Sequence, residues 1–408
     1  MTELAINGGT PSKTKPFPAW PQYDQREQQA LIDVLESRKW WRTEGTCVTK
    51  FEQEFAAFHG AKHGIAITNG THALEVALAA LGVVPGDEVI VPDSTFVATA
   101  SSVLFAGAMP VMVDICRDTE CIDPDLVEAA ITPRTKGIIP VHLGGHPADL
   151  DRLTEIASRH GLFLLEDCAH AHGSEWNGKK VGTHSVAGTF SFQSSKLMTA
   201  GEGGIIITND DEVERNLRSV HDCGRLPGEW FYSHFAYGSN YRLSEWQGAV
   251  LQVQLERLDQ QTRLRDANGA MLDRLLAEIP GITPQARDPR CTLNGHYAYI
   301  FHFDNSEFAG ISTERFTAAM NAEGIRSQAP YPEVHKLDMF QNGAYKSRLS
   351  GSQAEEEHAF LRADYPNSRR AATEDYWIPQ YCLLGDEQDM EEIVAAIKKI
   401  QANAASLG

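Results

Sequence analysis

The chain has 408 residues, 42 % hydrophobic and 22 % charged, which excludes a disordered or fibrous protein and gives length for about two or three cores. A formal net charge of −19 argues against nucleic acid and anionic membrane as partners, while a local site can still oppose the global field and hold a small anion. Seven cysteines, scattered from Cys47 to Cys382, read as reduced thiols of a cytoplasmic protein, and Cys116 and Cys121 lack a second Cys/His pair to complete a zinc pattern.

The opening stretch "MTELAINGGTPSKTKP" has no apolar h-region, so it does not read as a signal peptide. No apolar run is long enough to span a bilayer. Residues 24–37, "DQREQQALIDVLES", predict an amphipathic helix with Leu31, Ile32, Val34 and Leu35 on its apolar side. From about residue 63 short apolar runs alternate with helical segments. They are "GIAIT" (64–68), "EVIVP" (88–92), "PVMVDI" (110–115), "GIIPVH" (137–142), "LFLLED" (162–167), "GTFSFQ" (188–193) and "GIIIT" (204–208). They are rich in β-branched and aromatic residues and lack polar alternation, as strands buried on both faces do. The alternation of strand and helix predicts an α/β fold with a seven-stranded, mainly parallel sheet.

Beyond about residue 258 the rhythm changes. "RLRDANGAMLDRLLAEI" predicts a long amphipathic helix, and "HYAYIFHF" (296–303) a half-exposed strand with Tyr297, Tyr299, Phe301 and Phe303 on one face. Helices are expected around 313–323 and 386–402. The reading is a large domain over 1–258 and a smaller C-terminal α+β domain over 259–408, with no internal repeat.

Ligands of open α/β sheets collect at the carboxyl ends of the strands. There the sequence carries "TNGTHAL" (68–74), "DSTF" (93–96), Asp114, His142, "EDCAHAHG" (166–173), and Ser191 and Gln193 leading to Lys196. Gly70 and Thr71 open a helix, whose free N–H groups suit a phosphate or serve an ordinary cap equally well. Asp167, His170 and His172 offer either metal ligands, with no second cluster to support them, or a carboxylate for a cationic ring nitrogen. His172 also fits a plain core role. A phosphate cradle, a buried carboxylate and an amine match the parts of pyridoxal 5′-phosphate, with Phe96 either stacked on its ring or packed in the core.

The segments "SFQSSKLMTAGEGG", "TNGTHALE", "DCAHAHGS" and "GSNYRLSEWQGAVLQVQLERLD" resemble the DegT–DnrJ–StrS family of fold-type-I pyridoxal-phosphate enzymes. The resemblance covers nearly the whole chain. It implies Lys196 as the residue that binds the cofactor covalently and shuttles the proton, and Asp167 as partner of the pyridine nitrogen. It places His170 near the phenolic oxygen, Gly70, Thr71 and Ser191 on the phosphate, and Phe96 on the ring. It implies that Asn240 reaches the phosphate in the neighbouring subunit of a homodimer with shared sites, and that Arg242 helps shape the site. Trp41, Tyr331 and His335 are candidates for substrate contact, each with a purely structural role as the alternative.

Lys196 implies transamination, since family members that dehydrate sugars carry histidine there. Gln193, where nucleotide-sugar members carry histidine, is similar to scyllo-inosose aminotransferases and 3-amino-5-hydroxybenzoate synthases. The expected reaction is a ping-pong transfer from glutamine or glutamate to a keto sugar or keto cyclitol in secondary metabolism. Two alternatives stay open: an aromatising lyase of the synthase type, and a non-catalytic cofactor-binding regulator.

Overall fold

The seven apolar runs form one sheet in the computed structural model, which describes residues 3–355 and 358–407. The strands are β1 (His63–Ile67), β2 (Glu88–Pro92), β3 (Met109–Val113), β4 (Thr135–Ile138), β5 (Phe163–Asp167), β6 (Ala187–Ser191) and β7 (Gly204–Thr208). Their order is β1-β7-β6-β5-β4-β2-β3. β7 runs antiparallel to both β1 and β6, and the remaining pairs are parallel. Successive residues serve opposite faces. Ala66, Ile90, Ile205 and Ile207 join one core; Ile65, Ile67, Val89, Val91 and Ile206 join the other. Both faces are therefore covered, which is why the runs show no polar alternation.

Helix α1 (Gln25–Ser37) starts on an Asp24 cap, and α2 (Cys47–His59) lays Val48, Phe51 and Phe55 on the first core. Helices α3 (Gly70–Ala80) and α4 (Ala98–Phe105) line the second. Of the apolar side expected on α1, only Val34 is buried; Leu31, Ile32 and Leu35 are 38 %, 44 % and 53 % exposed. The helix instead anchors through Glu27, which accepts from Gln254 and Arg257 of the long helix Glu245–Leu276.

Two strand ends differ from expectation. The fourth stops at Ile138, because Pro140 has no N–H to extend the ladder, and a lone bridge between Val141 and Asp167 follows. The third stops at Val113; the Asp114 carboxylate accepts from the N–H groups of Asn367 and Ser368 and the Ser368 hydroxyl, which fixes a C-terminal helix.

The C-terminal part holds a three-stranded sheet of Ile282–Pro284, Ala298–Phe303 and Asp375–Pro379, with helices Thr313–Ala322 and Glu387–Asn403 beside it. Strand Ala298–Phe303 is not half-exposed. Ala298 and Ile300 enter the large-sheet core, while Tyr299, Phe301 and Phe303 enter a third core with Phe316, Met320 and Ile393. Tyr297 leaves the expected face, because His296 has a left-handed φ of 49° just before the strand begins, and joins the large-sheet core. Residue 258, the expected domain limit, lies inside the long helix. Val334, Phe340, Tyr345 and Phe360 pack on the second large-sheet core. The outer limits expected for the two domains, Met1 and Gly408, lie outside the described residues.

Candidate active site

The loops after β1, β2, β5 and β6 converge on a cavity of about 590 Å³. At one wall α3 begins. The Asn69 side chain caps it by accepting from the His72 N–H at 2.8 Å. The first helical turn leaves the Gly70 and Thr71 N–H groups without intrahelical acceptors. Ser191, at the end of β6, is pressed against this turn. A Cβ on Gly70 would lie 2.7 Å from the Ser191 Cβ and 3.1 Å from its Oγ, so only glycine permits the approach. Free N–H groups beside hydroxyls at a helix start are groups that suit an anion.

Asp167 closes the floor at the end of β5. Its Oδ1 accepts from the Ala169 N–H at 3.1 Å and its Oδ2 from the Thr99 hydroxyl at 3.0 Å. Burial pushes the carboxyl pKa up; the Ala169 N–H, the Thr99 hydroxyl and the Lys196 charge oppose it. Each oxygen keeps a free lone pair, as a carboxylate with one bond per oxygen must.

Lys196 stands half-buried on the same cavity. Its Nζ lies 4.5 Å from the centre of the Tyr297 ring, a cation–π distance. Among the described residues no carboxylate pairs with it, and burial lowers its pKa from the ordinary lysine range. His170 stacks on Tyr297 with centroids 3.9 Å apart, and its Nε2 lies 3.0 Å from the Tyr331 hydroxyl. Burial, then the Lys196 charge, hold its pKa well below the usual histidine value, so the ring is neutral. Its buried Nδ1 has no hydrogen-bond partner among the described residues. Phe96 is 53 % exposed at the lip, with its ring 6.0 Å from Tyr331; it is not core packing.

Gly70, Thr71, Phe96, Asp167, His170, Ser191 and Lys196 thus all line one cavity. Other expected residues lie elsewhere. His172 is buried among Phe55, Phe190 and Phe192, and does not converge with Asp167 and His170 as a ligand set. His142 is buried against Glu166, which also accepts from the Gly182 and His184 N–H groups and the Ser185 hydroxyl. His335 is paired with Asp93 at 2.9 Å. Trp41 lies edge-on to Phe231. Arg242 pairs with Asp222, and Asn240 is exposed outside this chain's cavity. Of the three expected substrate contacts, Tyr331 alone lines the cavity.

Tyr297, Gln328, Thr99, Ser195 and Glu202 also contribute to the site. Thr99 was within reach of sequence reasoning, three residues beyond Phe96. Tyr297 was hidden by the alternation that assigned it to a core face.

A doubly covered α/β sheet with a lysine and a buried aspartate at neighbouring strand ends defines the fold-type-I class of pyridoxal-phosphate-dependent transferases. Residues 21–398 match the DegT/DnrJ/EryC1/StrS aminotransferase family, and the chain belongs to it. It is 41 % identical to the 3-amino-5-hydroxybenzoate synthase of Amycolatopsis mediterranei, over 96 % of this chain and 99 % of the relative. It is 40 % identical to the L-glutamine:2-deoxy-scyllo-inosose aminotransferase of Streptoalloteichus tenebrarius, over 97 % of each. The crystal structure of a 3-amino-5-hydroxybenzoic acid synthase superposes with a TM-score of 0.87 at 40 % identity, over 97 % of this chain and 100 % of that one. Among the described residues no helix is long and apolar enough to cross a membrane.

Proposed function

We propose that the chain binds pyridoxal 5′-phosphate and moves an amino group from glutamine or glutamate to a keto cyclitol or keto sugar in two half-reactions. One observation carries this reading: a half-buried lysine, with no carboxylate paired to it among the described residues, and a buried carboxylate face the same cavity as a helix start with free N–H groups. The residues fit the cofactor. The Gly70 and Thr71 N–H groups, with the Thr71 and Ser191 hydroxyls, suit its phosphate. Phe96 offers a ring face, and neutral His170 carries a buried nitrogen still without a partner.

When bound, the cofactor supplies an electron sink for the pair left on the amino acid's α-carbon. Asp167 keeps a proton on the ring nitrogen. Lys196 anchors the cofactor. In its free form, with the amine made less basic by burial, it takes the α-proton and returns it at C4′. Tyr297 receives the lysine's charge on its ring face while the amine is free. Relatives named for 2-deoxy-scyllo-inosose as acceptor favour a cyclitol ketone.

The working unit in this reading is a cytoplasmic homodimer. Leu31, Ile32, Leu35, Trp40, Trp230, Phe231, Tyr232, Phe235 and Tyr237 are exposed, an apolar surface that a second copy would cover. Asn240 follows that aromatic segment and would reach the partner's phosphate cradle. Seven free cysteines suit a reducing compartment.

The test is the visible spectrum of the purified protein before and after L-glutamine or L-glutamate, beside Lys196→Ala. A yellow band that bleaches with the donor, and no donor-driven turnover in the variant, is the expected result. The likeness to the synthase motivates a second reading, an aromatising lyase; a band indifferent to every amino acid, with new aromatic absorbance from a cyclic substrate, would favour it. No band after soaking in cofactor would overturn both.

A further inference from the structure

Four neutral side chains on one wall of the cavity form a hydrogen-bond chain of fixed direction. The Gln193 Oε1 is an acceptor only, so the Ser195 hydroxyl must donate to it, at 2.7 Å. That spends the single Ser195 proton. The contact between Ser195 Oγ and the Tyr297 hydroxyl, 3.0 Å, must then be donated by Tyr297. The Tyr297 oxygen in turn accepts from the Gln328 Nε2 at 3.0 Å. The chain runs Gln328, Tyr297, Ser195, Gln193, and every hydroxyl proton in it is committed.

Its two ends are not committed. The Gln193 Oε1 takes the Ser195 N–H as well, at 2.8 Å, so its carbonyl is spent on its own loop and its two N–H bonds have no protein acceptor among the described residues. At the other end the Gln328 side-chain oxygen, Oε1, has no protein donor among the described residues. Gln193, Ser195, Tyr297 and Gln328 all line the cavity and both amides are partly exposed to it. The wall therefore shows a ligand a donor pair at one end and an acceptor at the other. The charged side chains on the cavity are Asp167, Lys196 and Glu202, and no arginine lines it among the described residues. Among the described residues of this chain, nothing on this wall complements a diphosphate.

We propose that Gln193 and Gln328 are specificity-determining residues that read two hydroxyls of an uncharged polyhydroxylated cyclic ketone, which carries no nucleotide. One hydroxyl accepts from the Gln193 amide and another donates to the Gln328 carbonyl, with Tyr297 and Ser195 holding the two amides in register. This rests on the aminotransferase reading above.

The experiment uses the cofactor-loaded enzyme with 2-deoxy-scyllo-inosose as acceptor and a thymidine-diphosphate-linked 4-keto sugar as the charged alternative. Donor and acceptor half-reactions are followed separately. Gln328→Leu should lower kcat/KM for the cyclitol at least tenfold more than for the amino donor, mainly through KM. Gln193→Leu tests the opposite end independently of how well the first variant folds. A cyclitol lacking one further hydroxyl should bind the wild type more weakly, yet lose little more in the variant that reads that hydroxyl. Equal losses in both half-reactions would reduce the two amides to structural roles and overturn the proposal. Preferential turnover of the nucleotide-linked sugar would overturn it as well. If the wild type fails to convert the donor at all, the aminotransferase reading itself falls; if it converts the donor and the variants show no acceptor-specific loss, the wall alone is refuted.

Discussion

Replacing Asp167 by Asn separates what this residue does for the fold from what it does for the chemistry. The carboxylate is buried with two hydrogen bonds, from the Ala169 N–H and the Thr99 hydroxyl. Asparagine keeps both. Its carbonyl oxygen can take the Ala169 N–H. Its amide can donate to the Thr99 oxygen, whose proton turns to Thr95 Oγ1, 3.0 Å away. The rearrangement displaces one proton, that of the buried Thr95 hydroxyl, which loses Thr99 as its acceptor; against that loss the substitution removes a charge that burial disfavours. Folding stability at neutral pH should hold or rise by up to about 2 kcal/mol, because the buried charge is removed while both direct partners of the side chain are kept. The sign of the pH dependence follows from the raised carboxyl pKa. The burial penalty is full above the folded pKa and vanishes below the ordinary carboxyl range, so the variant's advantage should be lost in acid. Activity should move the other way. Without an anion to hold the proton on the ring nitrogen, the donor half-reaction should slow by roughly 10²–10⁴-fold, the usual span for a lost acid–base group. Urea unfolding at pH 7 and pH 4, with stopped-flow spectra of the donor half-reaction, checks both halves. A variant within tenfold of the wild-type rate, or one destabilised by more than about 2 kcal/mol, would refute the assignment.

Three further outcomes follow from the same geometry. Gly70→Ala forces a Cβ to within 2.7 Å of the Ser191 Cβ, so it should cost about 1–3 kcal/mol by overpacking and weaken cofactor binding; thermal melts and cofactor titration read the two effects. In the cofactor-free protein Lys196, whose pKa burial lowers, should react with trinitrobenzenesulfonate at a lower pH midpoint than the exposed lysines, and a peptide map with an identical midpoint would contradict the site electrostatics. Lys13 and Asp389 are paired at 2.6 Å with side chains 1 % and 2 % exposed. Lys13→Ala should therefore cost about 3–5 kcal/mol, and a double-mutant cycle with Asp389→Ala should be strongly non-additive.

The family, the sheet and most of one cavity wall were legible in the amino-acid sequence, because each rests on local chemistry. Isoleucine-rich runs such as 204–208 declare a doubly covered strand wherever they stand. Gly70 before an apolar helix and Lys196 before Gly-Glu-Gly-Gly keep their meaning without the rest of the fold. What tertiary structure decided depends on segments distant along the chain. Tyr297 and Gln328 come from the C-terminal third, and only the left-handed turn at His296 and the pairing of Gln328 with Trp377 bring them to Lys196. The apolar side of α1 faces outward while its polar side docks on the long helix through Arg257 with Asp24 and Glu27 and Arg26 with Glu256. Periodicity reports which residues avoid water; it does not say which surface covers them, and at Tyr297 and α1 that choice is made by backbone turns and partners that no local window contains.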